Sequence, residues 1–235
     1  MGNFRIALTA GHYKYTAGKR CLKSLDPNET REWVLNDRIA DKIEHLLAEN
    51  YTGYELIRTD DTTGEKVVSL ISRTTAANNF KADFYLSIHH NAGINGGKGG
   101  GIIAIVHPDC DAESVAWQKA LYNSLITYTG LKGNRATPLT KMNLAEVRET
   151  NMPSVLLELG FMDSATDVPI ILSQDYADKC AKAIVEVIAE RGKLGKTSKQ
   201  LHRIQLGAFA SRVNAEAMLE KVKKAGFTDA FIKTE

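Results

Sequence analysis

Four polar residues stand where the surrounding pattern calls for apolar ones, and their types suit metal-assisted hydrolysis. His12 follows the apolar run Phe4–Ala10 after a single glycine, and His89 ends the run Asp83–His89. Glu158 lies inside Pro153–Leu159 (PSVLLEL). Glu32 precedes Leu35 and Ile39 by three and seven residues, which sets it on the core-facing side of a helix. A lone buried carboxylate is costly unless it is paired or coordinated. Two imidazoles and one carboxylate with an open fourth position form a recognised catalytic zinc shell. The remaining glutamate is then free for proton transfer.

Plain structural alternatives exist for each residue. A strand-end histidine can be a satisfied core or surface group, and Glu32 near a helix start favours the macrodipole. Glu158 can pair with an arginine such as Arg73 or Arg148. Glu29, one helical turn before Glu32, leaves a second register open. His90 adjoins His89, and the period-2 rule sends the two to opposite faces, so one ligand at most is expected from that strand. His45, His107 and His202 sit in ordinary helix or strand contexts.

Other chemistries fail on their motifs. Gly97-Lys98-Gly99 lacks the spacing and the Ser/Thr of a phosphate loop, and it does not continue as a dinucleotide-binding fingerprint. HExxH is absent, as is the G-x-S-x-G elbow of a serine hydrolase. The three cysteines, Cys21, Cys110 and Cys180, are widely spaced and odd in number, which predicts free thiols. The glycines between Gly93 and Gly101 suggest a mobile loop beside the site.

The elements that must position these residues alternate in type. Strands are expected at Phe4–Ala10, Tyr54–Thr59, Asp83–His89, Ile102–His107 and Pro153–Leu159. Helices are expected at Glu32–Glu49, Val67–Phe80, Ser114–Tyr128 and Tyr176–Arg191. Such alternation implies an α/β fold around a largely parallel sheet, with the site beyond the carboxyl ends of the strands. The chain of 235 residues is 43% hydrophobic and 25% charged, ample for one domain with a small appendage. Charge divides unevenly: residues 1–190 carry a net −4 and residues 191–235 a net +6. The polar, basic Gly192–Gln200 fits a linker. Beyond it, His202–Phe209, Asn214–Ala225 and Asp229–Lys233 suggest a partial β-α-β unit too short for an independent core. The expected organisation is therefore 1–191, a linker at 192–200, and 201–235.

At these residues the sequence resembles the zinc-dependent N-acetylmuramoyl-L-alanine amidases of the Amidase_3 family, over roughly residues 3–191. The resemblance lies in TAGH with His12, EWVLN with Glu32, SRTTAAN with Arg73 and Asn78, SIHHN with His89, and PSVLLELGFMDS with Glu158. It implies a twisted sheet of about six strands flanked by helices, Zn2+ held by His12, Glu32 and His89, and Glu158 as the catalytic carboxylate. Arg73, Asn91 and Arg148 are candidate substrate-binding residues. Where many members have Asp-x-Gly-His-Gly, this chain has Thr9-Ala10-Gly11-His12-Tyr13. The tail, residues 202–227, is similar to the opening half of the SPOR peptidoglycan-binding domain.

The implied activity is zinc-dependent hydrolysis of the amide bond between N-acetylmuramic acid and L-alanine in peptidoglycan. Two other readings compete: a zinc peptidase acting on the stem peptides, and a non-catalytic wall-binding protein. The basic tail lacks aromatic stacking motifs, so a nucleic-acid partner is not expected. No membrane span and no secretory signal are readable. This suggests an endolysin held in the cytoplasm until release, or a secreted autolysin whose leader has been removed.

Overall fold

The computed structural model describes residues 2–197 and 205–234, and the chain divides into two compact units, Met1–Thr197 and Ser198–Glu235. In the first unit β1 (Phe4–Ala10), β3 (Tyr54–Arg58), β4 (Phe84–Asn91), β5 (Ile102–Val106), β6 (Leu139–Lys141) and β7 (Ser154–Phe161) form a six-stranded sheet in the order β3-β1-β4-β7-β5-β6. All neighbours are parallel except β5 and β7. The α/β architecture expected from the sequence is therefore present as a mixed, mostly parallel sheet.

Strand alternation gives the sheet two unequal faces. Ile6, Leu8, Leu86, Ile88, Val155, Leu157, Ile102 and Ala104 point into the main core, under α1 (Glu32–Asn50), α3 (Ala112–Thr129) and α6 (Gln174–Arg191). Leu35, Ile39, Ile43 and Leu47 form the buried stripe of α1. Phe84 stacks on Trp117 of α3, with ring centroids 3.9 Å apart. The opposite face carries Ala7, Tyr85, Ser87, His89, Leu156, Glu158, Ile103 and Ile105. It is covered more thinly, by α2 (Leu70–Phe80) and the four-residue α4 (Ala145–Arg148). Polar side chains are tolerated on this thin face because part of it opens to solvent.

Local chemistry sets the helix ends. Ser69, Asp111 and Ser173 accept backbone N–H bonds at the starts of α2, α3 and α6, and Gly130 closes α3 in the left-handed region at φ 71°. A further helical turn, α5 (Val168–Ile171), follows β7.

The glycine-rich segment, expected as a loop, is held by hydrogen bonds to two aspartates. One Asp163 oxygen accepts the N–H groups of Gly93, Ile94 and Asn95, and one Asp167 oxygen accepts those of Gly101 and Phe161. Two expectations are corrected. The start of the expected linker belongs to the first unit, because β8 (Gly195–Lys196) pairs antiparallel with β2 (Tyr51–Thr52); Ser198–Gln200 lie outside the described residues. In the second unit α7 (Arg212–Lys224) is present, but the described residues of the two flanking segments form no strand. Strands need a partner edge, and among the described residues of this unit α7 buries none of its side chains. His202 is outside the described residues.

Candidate metal centre

β1 ends at Ala10, and its extension delivers Gly11 and His12 to the carboxyl edge of the sheet. His12 adopts φ 66°, a left-handed turn that swings its ring toward β4. The turn is clamped by Arg73 of α2. Its Nη1 donates to Thr9 Oγ1 at 3.0 Å and to the Ala10 carbonyl at 2.8 Å, and its Nη2 donates to the His12 carbonyl at 2.8 Å. Thr9, where the resembling pattern carries Asp, thus offers a hydroxyl to the guanidinium.

Glu32 opens α1 and is fully buried. Its Oε1 lies 3.0 Å from His89 Nδ1, and its Oε2 lies 3.3 Å from His12 Nε2 and 3.6 Å from Lys19 Nζ. One ligand atom each from His12, Glu32 and His89 falls within 4.8 Å of the others, so the trio could hold a metal ion. Glu32 Oε2 is buried without a hydrogen-bond partner, as an oxygen reserved for a cation would be. Glu29 points elsewhere and pairs with Arg20 at 3.1 Å, which resolves the register.

His89 is held from its far side by Glu146, a residue that sequence inspection passes over. Glu146 Oε2 lies 3.3 Å from His89 Nε2, while its Oε1 accepts from Tyr85 and Ser87 hydroxyls at 2.9 and 3.2 Å. An Nε2–H donated to Glu146 leaves the Nδ1 lone pair facing Glu32 and His12, the arrangement that a supporting carboxylate imposes on a metal-binding histidine. His90 points to the other face, as the alternation predicts. Asn36 Nδ2 donates to the Gly11 carbonyl at 3.1 Å, so its Oδ1 must accept from His90 Nδ1 at 2.8 Å. Burial lowers the His90 pKa to about 3, so that ring is neutral.

The carboxylates differ sharply in acidity. Burial opposes ionisation of Glu32, but the two histidines outweigh it and hold its pKa well below the ordinary range. Glu146 is likewise resisted by burial, yet contact with His89 brings it down to about 2. Burial also opposes a charged His89 ring, and Glu146 and Glu32 together lift it to about 10. Glu158 goes the other way. It stands beside His89 in the β4–β7 register, with Oε2 buried and unpartnered, and burial raises its pKa to about 7. Of the three carboxyl groups, Glu158 is therefore the one poised to change protonation state near neutral pH.

The remaining candidates part company. Arg73 is 3% exposed, with its N–H groups on backbone carbonyls and Thr9 and its Nη1 4.0 Å from Glu146, and it holds the His12 turn. Arg148 is engaged with Glu149 and Asn143, and neither arginine pairs with Glu158. Asn91 lines an open groove next to the site. Cys21, Cys110 and Cys180 are free, and burial pushes Cys21 and Cys180 up to about 12, so both remain protonated thiols.

A mixed, mostly parallel sheet thus carries at its carboxyl edge a His/Glu/His group that could hold a metal ion, next to a glutamate whose Oε2 has no partner. Residues 6–190 match the family described as N-acetylmuramoyl-L-alanine amidase, Amidase_3, and residues 182–235 match the SPOR domain. The chain belongs to the Amidase_3 family. It is 30% identical over 203 residues to the sporulation-specific N-acetylmuramoyl-L-alanine amidase of Bacillus subtilis, covering 85% of this chain and 75% of that relative. It is 29% identical over 194 residues to the endolysin of Bacillus phage SPP1, covering 82% and 68%. The crystal structure of an N-acetylmuramoyl-L-alanine amidase from Clostridium difficile 630 shares the fold with a TM-score of 0.71 at 24% identity, over 81% of this chain and 97% of that one.

Proposed function

We propose that this protein cleaves the amide bond joining the lactyl carboxyl of N-acetylmuramic acid to L-alanine in peptidoglycan, with Zn2+ held by His12, Glu32 and His89 and with Glu158 as the proton-transfer residue. The observation that carries this reading is the Glu158 Oε2, buried without a partner, beside a His12/Glu32/His89 group whose donor atoms converge within 4.8 Å. Zinc in that cluster supplies Lewis acidity toward a carbonyl oxygen and toward water. Glu158, with its pKa near 7, takes a proton from the attacking water and returns it to the departing amine. Glu146 orients His89, Asn36 holds the Gly11 carbonyl just before His12, and Arg73 fixes the His12 turn. The place of action is the bacterial cell wall, reached as an endolysin after the membrane is breached or by export, and the SPOR-matching tail adds affinity for the wall.

Digested walls analysed by mass spectrometry are expected to show new alanine N-termini without new reducing sugar ends, and chelation is expected to abolish this. Reducing ends indicate a glycosidase, and release of a free terminal amino acid indicates a stem-peptide carboxypeptidase. Activity that survives exhaustive chelation sinks the metal assignment.

The ligand cluster also makes a steric prediction. A Cβ at Gly11 meets the His89 ring at 2.1 Å from Cε1, closer than any side chain tolerates. Gly11→Ala therefore swings His89 away from Glu32. Zinc affinity is expected to fall at least about tenfold, as when support of a ligand is lost. Competition against a chromogenic chelator measures this, with circular dichroism confirming the fold. Unchanged affinity counts against His89 as a ligand.

A further inference from the structure

The thin face of the sheet holds a groove of about 480 Å³ that the proposed proton transfers leave unused. Its floor is Ile103 and Ile105 of β5, one side is Thr140 and Met142 at β6, and the other carries Asn91 and Arg135. The groove adjoins the candidate metal centre, since Asn91 follows His89 by two residues on β4. In the antiparallel β5–β7 pair Ile103 lies directly opposite Glu158, and Ile105 opposite Leu156, so all four side chains share one face.

Arg135 is the unusual member. Its guanidinium carbon sits 4.9 Å from the centre of the buried Phe161 ring. That contact holds the planar group against the ring while the residue stays exposed. Among the described residues it makes no ion pair and no side-chain hydrogen bond, unlike Arg58, Arg73, Arg148 and Arg191. A stacked, solvent-facing arginine over an apolar floor is built for an anionic group on an extended ligand. Of the two sides of a muramoyl–alanine bond, the glycan is neutral and the peptide carries carboxylates.

We propose that this groove takes the peptide side of the substrate and that Arg135 pairs there with a carboxylate of the stem peptide, which makes it a specificity-determining residue. This rests on the amidase reading of the site. The test compares two N-acetylmuramoyl peptides that are identical except that the peptide carboxyl groups are free in one and primary amides in the other. Wild-type kcat/KM is expected to favour the free acid by about tenfold, chiefly through KM, the size of a charge-assisted contact. Arg135→Gln loses about that factor on the acid and less than about twofold on the amide, while Arg135→Lys recovers only part because it lacks the planar fork. Equal wild-type turnover of both peptides, or an equal fall on both in Arg135→Gln, overturns the proposal. Failure of the wild type to cleave either peptide instead strikes the amidase reading, and this proposal with it, before any Arg135 variant is made.

Discussion

Glu158→Gln is expected to keep zinc bound and to lower kcat by about a hundred- to ten-thousandfold, the range for loss of a general acid–base group. The amide has nearly the shape of the carboxyl, so the β4–β7 register and the thin-face packing stay intact, while the proton acceptor is gone. Glu158 has no competing structural partner, since Arg73 and Arg148 are occupied elsewhere. Its loss should therefore register in chemistry and hardly at all in thermal stability. A sign follows for pH. The working base is the carboxylate, so activity falls on acidification. Without metal the group titrates near 7, and a divalent cation nearby favours the anion, so the acid limb of kcat for the zinc enzyme lies below 7. Steady-state rates and zinc content across pH check both statements, and a variant within tenfold of wild type removes Glu158 from the mechanism.

Arg58→Met is expected to cost about 3–5 kcal/mol of stability, the penalty for stripping one partner from a buried ionic cluster. Arg58 is 6% exposed and meets both Asp60 oxygens at 2.9 and 2.7 Å, Asp37 at 2.7 Å, Asp41 at 2.9 Å and Glu44 at 3.0 Å. Asp37, Asp41 and Glu44 lie along one side of α1, so this arginine pins the helix that presents Glu32. Burial already raises Asp37 to about 6 despite Arg58. Without the guanidinium its folded pKa rises further above the unfolded value, so the folded variant binds more protons and the deficit shrinks as pH falls from 7 toward 5. Thermal denaturation should show a Tm lowered by about 10 °C at neutral pH and by less at acid pH. A loss under about 1 kcal/mol would show the cluster to be solvated and expendable.

The residues that break an apolar pattern are the legible ones. His12, His89 and Glu158 interrupt strand runs, and Glu32 falls on the core side of a helical period, so their misfit is visible in one dimension. Glu146 is hidden, because AEVR reads as an ordinary surface turn and only the packing of α4 on β7 and α2 lets its side chain reach Tyr85, Ser87 and His89 of β4. Lys19 sits in a loop with no periodicity. Arg73 is visible in the sequence, but its role is not. An arginine near a site resembles a ligand contact until its bonds to the Ala10 and His12 carbonyls are seen. The three-residue β6 is too short to leave a pattern. The tail segments have the alternation of strands, but periodicity states which face would be buried, not whether anything exists to bury it.

The short β2–β8 ladder has a mechanical meaning. It fastens the departing chain to the last turn of α1, where Thr197 also donates to the Asn50 carbonyl at 2.9 Å. Glu32 opens that same helix of 19 residues, which puts the exit about 28 Å from the ligand cluster. The last described residues of the first unit are therefore fixed at the end of α1 remote from Glu32, so fraying of that ladder is expected to leave the far, Glu32-bearing end of the helix undisturbed.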